Sequence, residues 1–234
     1  KMREIKGIIF DADGTLFDSM GLWDQAGEIY LRRKGIRPGK DIRERLETMT
    51  MEESAAYFRS SYGIELEQED IIKEINSMIF DCYEKEIRIK PGLLPVLEDL
   101  KRRSVRMCIA TSTERPLIEA ALRHNGINWY FDGILTCTEA GAGKRNPRIY
   151  QMAMKLLDTK KEETLVVEDA YFAAETAKKA GFLLADIRDF YSENCLNWQI
   201  FTLKVGKIGS EKNEKSIDDC RFGLQRRRWD TGRY

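Results

Sequence analysis

The chain is poor in the side chains that most often run catalysis at neutral pH. One histidine, His124, stands among 234 residues. Multi-histidine metal sites are therefore excluded, and a Ser-His-Asp or Cys-His device would rest on that one residue. His124 lies in "RPLIEAALRHNGI", a helical pattern stopped by Gly126, and reads as a surface residue near a helix C-terminus. The five cysteines, at 82, 108, 137, 195 and 220, form no CxxC pair. Their odd number, and the place of Cys108 inside an apolar run, predict free thiols in a reducing compartment, taken as the cytoplasm. No apolar run approaches the length of a membrane span. The opening "KMREIKGIIF" has no signal-peptide core, and Lys1 ahead of Met2 suggests an incomplete start. Net charge is absent as well, with 39 basic against 39 acidic residues, so no global field argues for nucleic acid or membrane as a partner.

What is present is a soluble-type balance, 42% hydrophobic and 33% charged, in a length that fits one large domain or a core with an insert. Short apolar runs recur at Glu4–Phe10, Val105–Thr111, Gly133–Thr136, Thr164–Glu168 and Phe182–Ile187. Helical patterns separate them, at about 92–103, 115–126, 146–158 and 170–180, with Gly126 and Gly181 at helix stops. This alternation predicts βαβ units, hence an α/β fold with a Rossmann-like, doubly wound parallel sheet. Residues 17–88 break the alternation. They read as amphipathic helices, roughly 19–35, 41–47, 51–62 and 67–88, inserted directly after the first strand. The expected organisation is a core of 1–16 and 89–193, a helical insert of 17–88 and a tail of 194–234.

Ligands of open α/β sheets bind beyond the carboxyl ends of the strands. The residues there are Asp11, Asp13, Gly14 and Thr15, then Thr111, Ser112 and Thr113, then Lys144 in "GAGKRNP", then Glu168 and Asp169 in "LVVEDA". Carboxylates, hydroxyls and one lysine suit a hard cation such as Mg²⁺ and a phosphoryl group beside it. Four converging carboxylates would repel one another without such cations. Each element alone has a plainer reading: Asp-Gly as a turn, Thr-Ser-Thr as a helix cap, "ED" as another cap, a lysine as a solvated charge. Their order along four strand ends favours a shared site.

In this order "FDADGTLFDS", "IATST", "GKRNP" and "VVEDA" resemble the four motifs of the haloacid dehalogenase-like hydrolases, over about residues 4–190. The likeness is to the branch with a helical cap between the first two motifs, which includes β-phosphoglucomutase and phosphoglycolate-type phosphatases. The resemblance implies a Mg²⁺-dependent phosphatase of small phosphorylated metabolites. Asp11 would be the nucleophile and Asp13 the acid and base. Thr111, Ser112 and Lys144 would hold the phosphate, and Asp11, Asp13 (through its carbonyl), Asp169 and Glu168 would hold the metal. Dehalogenases of the family lack an aspartate at the place of Asp13, which favours phosphate chemistry.

Some positions depart from the family pattern. Arg145 stands where relatives carry the first proline of motif three, and Ala173 where they carry a glycine after motif four. The stretch "RERLETMTMEES" lacks the glycine of mutase-type caps, which leaves a sugar phosphomutase as the alternative enzyme. A non-catalytic phospho-accepting module is the rival of another class. Arg43 and Arg45 read as solvated helix charges, and Trp23 as packing between cap helices. From Lys204 on, nine basic residues face five acidic ones. The tail shows no apolar periodicity and reads as a frameshift product or a disordered extension. The chain is expected to act as a monomer.

Overall fold

A computed structural model describes residues 5–46, 49, 51–187, 191–192 and 195–196. Five parallel strands form the central sheet: β1 (Gly7–Phe10), β2 (Arg106–Thr111), β3 (Ile134–Thr136), β4 (Thr164–Glu168) and β5 (Leu183–Asp186). Their spatial order is β3-β2-β1-β4-β5. The chain thus builds outward from β1 on one side, then returns to build on the other. The reversal falls between β1 and β4, the place where such sheets open a binding crevice.

Both faces of the sheet are covered, which explains why the strands read as continuous apolar runs. Ile8 and Phe10 point to one core and Ile9 to the other, as the two-residue period of a strand requires. The first core takes in α5 (Leu93–Arg102) and α6 (Arg115–His124) through Leu97, Leu100, Ile118 and Leu122. The second takes in α8 (Arg148–Leu156) and α9 (Tyr171–Lys179) through Ile149, Ala153 and Ala177. At the end of α6, Gly126 has φ +66°, and the Ile127 N–H bonds back to the Leu122 carbonyl at 3.0 Å. That left-handed close is why glycine marks the stop.

Among the described residues between β1 and α5 lie four helices: α1 (Met20–Arg33), α2 (Ile42–Leu46), α3 (Met51–Tyr62) and α4 (Gln68–Lys85). Tyr30, Phe58, Ile71 and Ile75 close their interior, which is continuous with the first core of the sheet. The chain enters and leaves this insert side by side. The Asp18 N–H bonds the Arg88 carbonyl at 2.9 Å, and the Lys90 N–H bonds the Leu16 carbonyl at 2.8 Å. Asn125, just after α6, anchors the returning linker. Its side chain accepts from the Ile89 N–H at 3.1 Å and donates to the Ile87 carbonyl at 2.9 Å. α4 then packs along α6.

The expected strands all form, with ends as read at Phe10, Thr111, Thr136 and Glu168. Glu4 and the tail of 194–234 lie outside the described residues, except that Cys195–Leu196 (β7) pairs antiparallel with Tyr191–Ser192 (β6). One helix was not anticipated: α7 (Cys137–Ala140), a single turn closed by a reciprocal Thr136/Glu139 capping box. Among the described residues, no helix is long and apolar enough to cross a membrane.

Candidate active site

The strand ends bring three carboxylates together. Asp11, Glu168 and Asp169 each offer an oxygen, and these atoms lie within 4.8 Å of one another. Asp11 follows β1, Glu168 ends β4, and the two strands are neighbours in register. Lys144 enters the cluster from the loop before α8. Its Nζ contacts Asp11 Oδ1 and lies 2.7 Å from Glu168 Oε1. Lys144, Asp11 and Glu168 are all buried.

Tyr150, on the first turns of α8, donates its hydroxyl to the same Glu168 Oε1 at 2.6 Å. Glu168 is thereby held on one oxygen, while its Oε2 is buried with no hydrogen-bond partner. A buried carboxylate oxygen without a donor is costly unless a cation meets it. An all-oxygen, three-carboxylate set around that atom fits a divalent ion such as Mg²⁺. Gly14 adds a steric argument. Its φ is +80°, and a Cβ there would come within 2.9 Å of Asp169 Cγ, so only glycine lets the turn pass the carboxylate.

The electrostatics agree. Burial raises the Glu168 carboxyl to about 8, against the pull of Lys144. Burial and the nearby Asp11 raise Asp169 to about 7. Asp11 is raised by burial as well, with Lys144 opposing. Burial alone would push the Lys144 ammonium down, but Asp11 and Glu168 override it and hold the group charged. Negative charge is in excess here, and a further cation would relieve it.

Asp13 is half-buried, and its side-chain hydrogen bonds go to residues outside this cluster. Its Oδ1 accepts from the Ser19 hydroxyl at 2.5 Å and from the Tyr83 hydroxyl. Its Oδ2 accepts from the Thr113 hydroxyl at 2.6 Å. Thr111 is buried at the end of β2, and its hydroxyl accepts from the Thr113 N–H at 3.0 Å. Ser112 is exposed, its hydroxyl 3.5 Å from Cys137 Sγ.

The departures from the family pattern have local substitutes. The Arg145 guanidinium lies over the Phe172 ring at 4.7 Å, which ties the lysine loop to the start of α9. Asn146 accepts from the Arg148 N–H at 3.0 Å and so serves the first turn of α8. At Ala173 the backbone is helical, where glycine is not needed.

A model of the haloacid dehalogenase-like hydrolases matches residues 5–181. The chain belongs to that family. Among its relatives is the phosphorylated carbohydrates phosphatase of Thermotoga maritima, 25% identical over 76% of this chain and 82% of the relative. The fructose-1-phosphate phosphatase YqaB of Escherichia coli is 26% identical over 78% of this chain and 96% of the relative. The crystal structure of CbbY from Rhodobacter sphaeroides in complex with phosphate superposes with a TM-score of 0.59. It is 28% identical and covers 77% of this chain and 84% of that one. A Thermotoga maritima structure provisionally described as β-phosphoglucomutase gives a TM-score of 0.75 over 86% of this chain and 99% of that one. At 23% identity it speaks for the fold alone.

Of the residues named from the sequence, the fold brings Asp11, Lys144, Glu168 and Asp169 into one cluster and gives Asp13 a separate set of partners. Ser19, Tyr83 and Thr113 as partners of Asp13, and Tyr150 as partner of Glu168, were not expected from the sequence. Thr113 was within view beside Thr111, but nothing in the sequence joins Tyr83 to a residue 70 positions away. His124 is half-buried rather than on the surface, at the end of α6. Arg43 and Arg45 are exposed and pair with Glu28 and Asp41, each at 2.6 Å. Trp23 packs between insert helices, edge-on to Tyr83 at 6.3 Å, and also donates its indole N–H to the Tyr83 hydroxyl.

Proposed function

We propose that the chain is a Mg²⁺-dependent phosphatase of small phosphorylated metabolites, sugar phosphates foremost, working through a phosphorylated aspartate. The observation that carries this reading is the Asp11–Lys144–Glu168–Asp169 cluster at the strand ends, with one buried carboxylate oxygen left for a cation. The names of the carbohydrate phosphatase and fructose-1-phosphate phosphatase relatives support the substrate class.

Asp11 is proposed as the nucleophile, one carboxylate oxygen bonding to phosphorus as the bond to the leaving oxygen breaks. Asp13 gives its proton to that leaving oxygen, then takes one from the water that attacks the aspartyl-phosphate and frees Asp11. Lys144 holds positive charge on Asp11 while an anion approaches it. Thr111 and the Ser112 N–H bind phosphate oxygens. Asp11, Glu168, Asp169 and the Asp13 carbonyl would hold the metal, which supplies charge neutralisation on the phosphoryl oxygens. Residues 17–88 act as a cap on a core of 1–16 and 89–193, excluding bulk water on closure. The enzyme is proposed to act as a monomer in the cytoplasm. The free thiols of Cys82, Cys108 and Cys137 support a reducing compartment.

The test is a phosphate-release screen over sugar, nucleotide and glycolytic phosphates with Mg²⁺. Asp11→Asn is expected to abolish release, and turnover that survives it overturns the nucleophile assignment. An isomerised product that keeps its phosphate would favour the phosphomutase instead. A stable phosphorylated protein without turnover would favour the phospho-accepting module.

A further inference from the structure

Asp13 is gripped mainly by groups outside the sheet. Of its three hydroxyl partners, only Thr113 comes from the core. Ser19 immediately precedes α1, and its hydroxyl goes to Asp13 rather than capping its own helix. Tyr83 lies on the last turn of α4, with its ring fully buried. The direction of the chain of bonds is fixed by chemistry. An indole N–H can only donate. Trp23 Nε1, on α1, therefore donates to the Tyr83 oxygen at 2.8 Å, and Tyr83 is left to donate its own proton to Asp13 Oδ1. Two insert helices thus meet in one hydroxyl that ends on a carboxylate at the sheet.

We infer that Tyr83, anchored by Trp23, is a positioning residue for Asp13 and makes its placement conditional on the packing of α1 against α4. This rests on the phosphatase reading, in which Asp13 moves the protons. A carboxylate held from the core by Thr113 alone retains a choice of side-chain rotation. The Ser19 and Tyr83 hydroxyls, both on Oδ1, remove that choice, and the Tyr83 contribution is made when the insert helices are in the observed arrangement. Proton transfer is sensitive to misplacement well below the width of an atom. A substrate that shifts α1 or α4 would act on the proton step without touching Asp13.

Tyr83→Phe keeps the buried ring and removes the donor. Two substrates separate positioning from general damage. An alkyl phosphate such as a hexose phosphate needs its leaving oxygen protonated, whereas p-nitrophenyl phosphate releases a stable phenolate without that help. In Tyr83→Phe, kcat for the hexose phosphate is expected to fall by about tenfold or more with KM within about twofold. The single-turnover release of p-nitrophenol should stay near the wild-type rate. Trp23→Phe keeps the Tyr83 hydroxyl but frees it to rotate. It should show the same substrate split to a smaller extent, which keeps the test valid if Tyr83→Phe folds poorly. Equal losses on both substrates in both variants, a rise in KM with kcat unchanged, or no change would overturn the inference while the active wild type upholds the phosphatase reading. Wild-type protein that turns over neither substrate overturns that reading and this inference with it.

Discussion

Asp11 and Asp13 are two positions apart on one chain, yet different regions of the molecule hold them. Asp11 sits in the sheet-end cluster, buried among Lys144, Glu168 and Asp169, with Tyr150 steadying the far side. All of these come from strand ends, from α8 and from the loop that leads into it, and the two cores fix the strands and α8. Asp13 is half-buried and held by neutral hydroxyls, two of them from Ser19 before α1 and from α4. The first region is a preformed arrangement of charge. The second is an orientation that depends on helices packed outside the sheet. In the proposed roles, Asp11 as nucleophile gains from immobility, whereas Asp13, which must give and then take a proton, gains from being addressable.

The contrast breaks most sharply at Lys144. Lys144→Met is expected to lower turnover by at least about a hundredfold, because the approaching phosphate would meet unrelieved negative charge. It should also cost about 3–5 kcal/mol of stability near pH 8, since it strands buried carboxylates without their cation. Urea unfolding checks this, and a stability like the wild type's would show that the cluster does not depend on its ion pairs.

A second effect separates the regions by pH. The folded values of Glu168 and Asp169, about 8 and about 7, lie above their ordinary carboxylate range. Groups raised in this way contribute stability in full below their unfolded values and lose it as pH rises through the folded ones. Metal-free protein is therefore expected to melt lower at pH 8.5 than at pH 5. Mg²⁺ should restore the difference most strongly at the higher pH, where the carboxylates are ionised. Thermal melts with and without chelator measure it, and a melting temperature that rises steadily from pH 5 to 8.5 without metal would contradict it.

The smallest of these effects sharpens the comparison within the cluster. Tyr150→Phe leaves every charge in place but frees Glu168 to rotate. Mg²⁺ affinity should fall by about tenfold, as for other groups that orient a metal ligand from behind. Calorimetric titration of the metal alone reads this without turnover, and unchanged affinity would show that Lys144 suffices to aim Glu168.

Much of the first region was legible in the sequence, and little of the second. Asp11, Glu168 and Asp169 follow apolar β-branched runs, and parallel strands deliver whatever follows them to one edge. Lys144 could be read from the same order of motifs. Tyr83 and Ser19 could not. Tyr83 sits on an amphipathic helix where an aromatic at that spacing is ordinarily core, and its ring is indeed buried. Only the hydroxyl at its tip reaches Asp13, a detail of how α1 crosses α4 that no local pattern encodes. Tyr150 was hidden in the same way, as a buried aromatic on α8. α7 escaped because one turn is too short for periodicity, although Thr136 and Glu139 spell its cap.

The paired linkers at Leu16–Asp18 and Arg88–Lys90 have a further consequence. The chain passes from the sheet into the insert and back through two segments that are hydrogen-bonded to each other. Their ends are held together whatever length of chain runs between them, so lengthening that chain adds little closure entropy. The carboxyl edge of β1 therefore works as a socket. In evolution, helices could be exchanged, lengthened or re-faced there while the order β3-β2-β1-β4-β5 stayed untouched. Any exchanged insert would leave the Asp11–Lys144–Glu168–Asp169 cluster in place but would have to supply its own hold on Asp13.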